Sequence, residues 1–374
     1  MIRPVLNGDL PRVIRVIDQW ARAQAGKYAD FIVAPPGDEP RGRLSTFLSV
    51  LLPFVPNAST WILEDHWQLQ GLIQTRARPG SSAWDVAYLA AVLAHTGDQQ
   101  DAAILVDCGP VVYPLLQHCV NTAITRGVRR VFARVEDERP EIEQFTKLGF
   151  QRYAVEHTWA LRDVRSGLRM LSETDDLART PRGGRLWRGS DRWNLLRLHD
   201  AATPKRVQLA EDLDLDEFLH TRMFTWGLAP LLPLDPTGAS YVLDHDGRLS
   251  AWLRLRSGRG TQPHEMALMA HPEDAGAAVA LLRFGLEALA SKPAQPVWCV
   301  VRDYEAPVIL ALRAAGFTPV AAHALLVRHQ AARVMPLPDA AVAASRVVLG
   351  GQGIGSSQAR MSKGEKAQYA ESHA

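Results

Sequence analysis

The chain has few cysteines and no long apolar run, and these two features argue against a disulfide-rich protein, a zinc protein and a membrane protein. Its three cysteines, Cys108, Cys119 and Cys299, form no C-x-x-C pair, so the sequence indicates neither a disulfide framework nor a structural zinc site. We therefore expect a reducing, cytoplasmic setting. No stretch approaches the ~18 apolar residues that a membrane helix needs, and residues 1–13 lack the apolar core of a signal peptide. The sequence predicts no membrane association.

The chain also lacks an excess of charge of one sign. Its 42 basic and 40 acidic residues give a formal net charge of +2, so no overall field would recruit nucleic acid. Catalytic motifs are equally scarce. There is no G-x-S-x-G, and residues 350–357, GGQGIGSS, follow no predicted strand. The stretch HEMALMAH does not match H-E-x-x-H and has the spacing of a strand, so we expect no metal ion.

What the chain does contain is a duplication. Residues 61–76 align with residues 241–256, and both segments read as two strands joined by a polar turn. A glycine–phenylalanine pair at a predicted helix end also recurs, beginning at Gly149 and at Gly316. Each copy has the order strand, helical region, hairpin, strand, long helix, strand, short helix and closing strands. The length of 374 residues agrees with two domains.

Four segments follow from this pattern. They are a first domain over residues 1–165, a polar linker over 166–186, a second domain over 187–334 and a mostly flexible tail over 335–374. We expect an α/β (α+β) fold in which each domain is a mixed, mostly antiparallel sheet flanked by helices. The tail is rich in small and polar residues and has little sustained periodicity, which is typical of a flexible segment.

The element order, the opening residues IRPVLNGDLPRVIRVID and the motif FTKLGF resemble the GNAT superfamily of acetyl-CoA-dependent N-acetyltransferases. The resemblance implies two tandem GNAT-like domains. It also implies that acetyl-CoA lies between two splayed parallel strands, with its pyrophosphate at the N-terminus of the long helix. Free backbone N–H groups and the helix dipole favour an anion there. The loop pattern of the family at this helix is Arg/Gln-x-x-Gly-x-Gly/Ala.

The first copy departs from this pattern. Its loop, DCGPVV, places Asp107, Pro110 and Val112 at the three motif positions. The proline lacks an N–H donor, the valine adds branched bulk, and the aspartate sets a negative charge near the expected phosphate. We therefore expect the first domain to bind no CoA in the manner of the family.

The second copy has a more permissive loop, HPEDAGAAVALL. It fits the pattern in two registers, one that begins at Glu273 and one that begins at Ala275, although neither supplies the Arg or Gln. The candidate cofactor-binding residues, which would form a backbone cradle for the pyrophosphate, are Ala275, Gly276, Ala277, Ala278, Val279 and Ala280. The alternative is an alanine-rich helix start that is simply capped by Asp274.

The family often carries a tyrosine five residues before the phenylalanine of the Gly-Phe motif, and its hydroxyl can protonate the CoA thiolate. This chain has Phe145 and Leu312 there. Tyr304, just past a predicted strand, is the candidate replacement acid. Glu265, at the start of the strand before the cradle, is the candidate base. Both also fit structural roles, as a strand-end tyrosine and a solvated carboxylate.

The resemblance thus implies an N-acyltransferase that moves an acetyl group from acetyl-CoA to the amine of a small molecule or peptide, with the cofactor in the second domain. The alternative is a non-catalytic GNAT-fold scaffold whose tail binds a partner. The missing acid and basic loop residue favour the scaffold, whereas the small residues of the second loop favour the enzyme. Residues 21–59 and 201–240 would shape the acceptor site and indicate no substrate charge.

Overall fold

The structure is a computed structural model. It describes residues 1–13, 29–33, 58–78, 82–92, 108–173, 184–212, 238–245, 247–258 and 263–330. The described residues belong to one compact unit, Met1–Ala331. Among them no helix is long and apolar enough to span a membrane. The predicted tail, Asp107 and most of the predicted acceptor segment 21–59 lie outside the described residues.

Thirteen strands of the described chain form one sheet. They are β1 (Ile2–Pro4), β2 (Ala29–Val33), β3 (Ala58–Asp65), β4 (Gln68–Ala77), β5 (Ala83–Val92), β6 (Arg130–Glu136), β7 (Gln151–Leu161), β8 (Arg185–Leu186), β9 (Gly238–His245), β10 (Arg248–Arg256), β11 (His264–Ala270), β12 (Val297–Arg302) and β13 (Thr318–His329). Their order is β1-β3-β4-β5-β2-β6-β13-β7-β12-β11-β10-β9-β8. The pairs β5–β6 and β11–β12 are parallel, and the other neighbours are antiparallel. The mixed, mostly antiparallel sheet expected from the sequence is confirmed.

Seven α-helices of the described chain flank this sheet. They are α1 (Gly109–Thr125), α2 (Ile142–Lys147), α3 (Val164–Glu173), α4 (Arg192–Ala202), α5 (Lys205–Glu211), α6 (Ala275–Ala290) and α7 (Ala306–Ala314). The short helices α2 and α7 end just before Gly149 and Gly316, whose φ angles are +81° and +77°. Glycine reaches this left-handed conformation without steric cost, so both Gly-Phe motifs are helix ends as expected.

Helix α3 lies mostly inside the segment expected to be a linker, residues 166–186. The polar residues of α3 are exposed or half-buried, while Val164 and Leu171 are buried against the core that includes α6. Arg283 of α6 fixes the helix end, because its Nη2 donates a hydrogen bond of 2.5 Å to the carbonyl of Leu171. Apolar residues spaced three to four apart give the helix its buried face, which composition alone did not reveal.

The closing strands of the two halves are exchanged. β7, the last strand of the first half, pairs antiparallel with β12 of the second half. β13, the last strand of the second half, pairs antiparallel with β6 of the first half. β7 and β13 then pair with each other at the middle of the sheet. Each half of the sheet is therefore completed by a strand from the other half.

The two main hydrophobic clusters show the same exchange. The cluster under α6 and α7 includes Trp159 and Leu161 from β7 of the first half. The cluster under α1 and α2 includes Ala324 and Leu326 from β13 of the second half. Because each core buries side chains from both halves, the sheet and its two cores form one cooperative structure.

An arginine clamp recurs at the start of both halves. The two clamps are Arg3 with Asp9 and Glu64, and Arg185 with Asp191 and Asp244. In each, the guanidinium donates two hydrogen bonds of 2.5 to 2.8 Å to the first aspartate. These bonds lower the pKa of Asp9 to about 2. The clamps make β8 the counterpart of β1, so the duplication extends back to Arg185.

Strand β4 packs unusually closely on α1 at Gly71. A Cβ atom added there would lie 2.5 Å from Cγ1 of Val111 and 2.7 Å from the carbonyl oxygen of Ala90. The second half has Ala251 and Ala277, both fully buried, at the positions equivalent to Gly71 and Val111. The second half thus has a larger residue than Gly71 on the strand and a smaller residue than Val111 on the helix.

We expect Gly71→Ala to lower the free energy of unfolding by about 1–3 kcal/mol through overpacking. Val111→Ala in the same chain should recover part of that loss, so the two effects should be non-additive. Urea denaturation of the wild type, both single variants and the double variant measures this. Additive losses would show that the two residues do not share the contact.

Candidate functional site

The candidate site is a gap between the parallel strands β11 and β12. These strands pair only at their first residues, 264–266 with 297–299. Beyond that point β11 continues to Ala270 and β12 continues to Arg302 as the two strands diverge. Their facing edges carry backbone N–H and C=O groups that do not bond to each other. An extended chain with amide groups can pair with such an edge.

The first half has the same gap, but the chain itself fills it. β5 and β6 pair over residues 83–85 and 130–132 and then diverge. β2 enters this gap and pairs antiparallel with residues 89–92 of β5, and with Val135 of β6. In the part of the chain that the structure describes, no strand enters the second gap. Within the described residues, the two halves therefore differ at this gap.

Helix α6 begins where β11 ends, and its first turn offers few free donors. The Asp274 carboxylate accepts a hydrogen bond of 2.9 Å from the N–H of Ala277, and the Asp274 N–H itself donates to the carbonyl of His271. In an α-helix, N–H groups from the fifth residue onward bond within the helix. By this count Ala275, Gly276 and Ala278 keep N–H groups without such a bond, and because Ala278 is fully buried, those of Ala275 and Gly276 are the ones left for an anion.

The later residues of the predicted cradle face the interior. Ala277, Ala278 and Val279 are buried in the core under α6, and Ala280 packs against its edge. Their small size serves the close packing of α6 on the sheet. The sequence treats residues 275–280 as one cradle, whereas the structure leaves only its first two residues, Ala275 and Gly276, facing outward.

The sequence predicts that the loop of the first half disfavours a pyrophosphate, and the structure bears on two of its residues. Pro110 lies in the first turn of α1 and lacks an N–H donor. Val112, by contrast, is fully buried, so its bulk faces the core rather than a ligand. The strand β2 in the neighbouring gap is a second obstacle that the loop residues could not indicate.

Glu265 is held in an ion pair rather than exposed to solvent. Nε of Arg256, on the neighbouring strand β10, donates a hydrogen bond of 2.9 Å to Oε2 of Glu265, and its Nη2 contacts Oε1. The corresponding carboxylate of the first half, Asp85, is also held by an arginine at 2.7 to 3.0 Å, but by Arg78 rather than by Arg76, the counterpart of Arg256. A paired carboxylate is thus present in both halves, in one of them beside a filled gap, and the role of Glu265 as a base stays a prediction.

Tyr304 follows the end of β12, beside the open end of the gap. Its hydroxyl oxygen accepts a hydrogen bond of 2.9 Å from Nη1 of Arg302. Nη2 of Arg302 donates at 2.5 Å to Oε1 of Glu211, the last residue of α5. The half-buried Tyr304 ring packs near Val207 of α5. Sequence reasoning missed Arg302 and Glu211, although a charged residue at the end of an apolar strand was a visible signal.

The first half contributes to the same cluster. Tyr153 of β7 donates its hydroxyl hydrogen to Oε1 of Glu211 at 3.2 Å, and Nη1 of Arg130 donates to the Glu211 carbonyl. Burial and the charge of Glu211 raise the pKa of Tyr153 far above its usual value. We call Tyr153, Glu211, Arg302 and Tyr304 the Glu211 cluster. It joins both halves on one face of the sheet.

Metal or thiol chemistry finds no support in the described residues. Within those ranges no group of three or more His, Cys, Asp or Glu side chains is placed to hold a metal ion. The three cysteines are buried. Burial raises the pKa of the Cys119 thiol to about 12, so it is not a nucleophile.

No protein-family model and no curated protein matches the chain. Solved structures do. One is a GCN5-related glucosamine N-acetyltransferase region in a fungal multi-domain GH3 β-N-acetylglucosaminidase, at 12% identity and a TM-score of 0.52, over 87% of this chain and 38% of that one. This likeness shows that the chain has a GNAT-like fold, as its sequence resemblance implies.

Two further solved structures match over most of both chains at slightly lower TM-scores. A tandem GNAT protein from the clavulanic acid biosynthesis pathway is 17% identical, over 88% of this chain and 98% of that one, with a TM-score of 0.49. A GCN5-related N-acetyltransferase from Sphaerobacter thermophilus is 11% identical, over 88% and 95%, with a TM-score of 0.48. The site must be argued from the residues of this chain.

Proposed function

We propose that the protein is an N-acetyltransferase that uses acetyl-CoA bound in the second half, between β11 and β12. The observation that carries this proposal is the difference between the two gaps. The first is filled by β2, whereas no described strand fills the second. The pantetheine arm of CoA contains amide groups, so it can pair with the free edge of β11 as β2 pairs with β5.

The elements around the gap lie on opposite faces of the sheet. Met266 and Leu268 of β11 pack under α6 on one face, while Met269 packs with α4 on the other face. A pyrophosphate at the N–H groups of Ala275 and Gly276 would start on the α6 side. A chain that passes through the gap from there reaches the face of the Glu211 cluster.

On that face we propose acyl transfer to an amine. The amine nitrogen attacks the thioester carbonyl, and Tyr304 is the proposed donor of a proton to the departing thiolate. Positioning in the gap supplies the rest of the rate. The acceptor is the amine of a small molecule or peptide, and we expect the protein to act in the cytoplasm without metal or nucleic acid.

Asp274 favours a second candidate function, a non-catalytic scaffold. Its carboxylate already holds the N–H of Ala277, and its negative charge opposes a phosphate at the same helix end. In that case the fold would be kept for contact with a protein partner, for which we propose residues 335–374.

Calorimetric titration with acetyl-CoA separates the two candidates. We expect one site per chain with micromolar affinity. Ala275→Glu should weaken binding by on the order of tenfold or more, because it adds a carboxylate beside the phosphate position while favouring the helix N-terminus. The matched control is Pro110→Glu, in the first turn of α1, which should leave binding unchanged.

Other outcomes are equally informative. Failure of the wild type to bind at millimolar acetyl-CoA supports the scaffold. If both Ala275→Glu and Pro110→Glu weaken acetyl-CoA binding equally, or if neither weakens it, the ligand does not lie at the start of α6.

A further inference from the structure

In the hydrogen bond between Arg302 and Tyr304, the arginine is the donor and the tyrosine keeps its hydroxyl hydrogen. A guanidinium has donors and no acceptor, so the Tyr304 oxygen must accept this bond of 2.9 Å. The hydroxyl hydrogen of Tyr304 then points to some other group. Among the described residues none accepts it. Within the described residues, the proton of Tyr304 is therefore available to a ligand.

Tyr153, the other tyrosine of the Glu211 cluster, is in the opposite state. Its hydroxyl donates to the Glu211 carboxylate at 3.2 Å, so its proton is already committed. Burial and the neighbouring carboxylate further oppose its ionisation. Of the two phenols that meet at this point, only Tyr304 is arranged as a proton donor.

Arg302 is itself held rigidly. Its guanidinium and the Glu211 carboxylate are both buried, and they bond at 2.5 Å. Its backbone N–H donates at 2.8 Å to Oε2 of Glu305, which closes the turn that carries Tyr304. Charge-assisted bonds of this length fix geometry strongly. The Tyr304 oxygen is thus placed by a chain of contacts that begins at Glu211.

We infer that Arg302, held by Glu211, is a positioning residue that keeps the Tyr304 hydroxyl oriented as the proton donor for the leaving thiolate. This inference rests on the proposed function. It also assigns a role to α5, because Glu211 ends that helix and couples it to both halves of the sheet.

The proposed acyl transfer balances in bonds, electrons and protons. The amine nitrogen bonds to the thioester carbonyl carbon and loses a proton to solvent, and the C–S bond breaks with its electron pair on sulfur. Tyr304 Oη gives its proton to that sulfur. The Arg302 guanidinium hydrogen-bonds the phenolate that remains and stabilises its charge. A proton from solvent restores the hydroxyl.

The test uses the full chain, acetyl-CoA and hydroxylamine, a small amine that needs no shaped acceptor site, and it measures release of the CoA thiol. We expect Tyr304→Phe to lower kcat by roughly 10²-fold with little change in KM for acetyl-CoA. The paired substitution Arg302→Met with Glu211→Leu removes both buried charges together, so it retains the fold. It should lower kcat to a similar extent.

Adding Tyr304→Phe to that pair should cost nothing further, because the residues act through one proton donor. Arg302→Lys alone, with Glu211 kept, retains a cationic donor and should keep part of the kcat that the paired variant loses. If Arg302 had only a structural role, the losses of kcat from the paired variant and from Tyr304→Phe would multiply. Multiplying losses, or a paired variant at the wild-type rate, would overturn the inference.

Failure of the inference and failure of the proposed function give different results. A wild type that binds no acetyl-CoA overturns both. A wild type that binds acetyl-CoA, but turns over no hydroxylamine or turns it over equally well as Tyr304→Phe, overturns the positioning role and leaves the cofactor site standing.

Discussion

Cutting the chain between residues 174 and 183 is expected to give two fragments that stay associated, and neither should fold alone. The reason is the exchange of β7 and β13. Residues 1–173 alone would lack β13, the strand that lies between β6 and β7. Residues 184–330 alone would lack β7, together with Trp159 and Leu161 of their core. Losing a central strand removes more than the roughly 5–15 kcal/mol by which a domain is stable.

A protease site inserted in this segment makes the experiment direct. After cleavage, size exclusion should show one complex of unchanged size. After separation in denaturant, each fragment should lack cooperative unfolding by circular dichroism, and equimolar mixing should restore the original transition. The uncut chain taken through the same denaturant is the control. Cooperative folding of residues 1–173 alone would mean that the exchanged strands are dispensable.

Glu211→Leu is expected to lower the free energy of unfolding by about 3–5 kcal/mol, because it leaves the Arg302 guanidinium buried without its carboxylate. Replacing both residues, with Arg302→Met added, should return the stability to within about 1 kcal/mol of the wild type, since buried ion pairs often contribute little net stability. Guanidinium denaturation of the three chains measures both effects.

A surface pair supplies the matched control. Lys147 and Glu143 form an ion pair of 3.0 Å in which both side chains are more than half exposed. Glu143→Leu should change the stability by less than about 1 kcal/mol. Single and double changes at Glu211 that destabilise equally would show that Glu211 matters through its packing rather than through its charge.

Local patterns predicted the elements well because they depend on neighbouring residues. Alternation gave the hairpins, and the glycines at Gly149 and Gly316 marked the helix ends. The exchange of closing strands was not visible, since β7 and β13 have the same pattern whichever partner they choose. Pairing between distant strands is set by the whole sheet, and no local signal in the closing segments encodes it.

The candidate site shows the same division. Small residues at 275–280 pointed to α6, yet the pattern did not separate the exposed Ala275 from the buried Ala278, because both fit a helix start. The sequence offers Glu265 as a base or as a solvated carboxylate, because its partner Arg256 lies on another strand and the pairing is not visible locally. The arginine clamps were recoverable from sequence: an arginine six residues before an aspartate occurs at Arg3 and again at Arg185.

The exchanged strands also bear on how such a chain can arise. A single copy that offered its closing strand to an identical neighbour would form a symmetric, strand-swapped homodimer with this same sheet order. Fusing the two genes makes that association intramolecular and independent of concentration. One copy is then free to lose its ligand while it still supplies its strand. β2, which has no counterpart among the described strands, lies in the first copy, the one for which we propose that course.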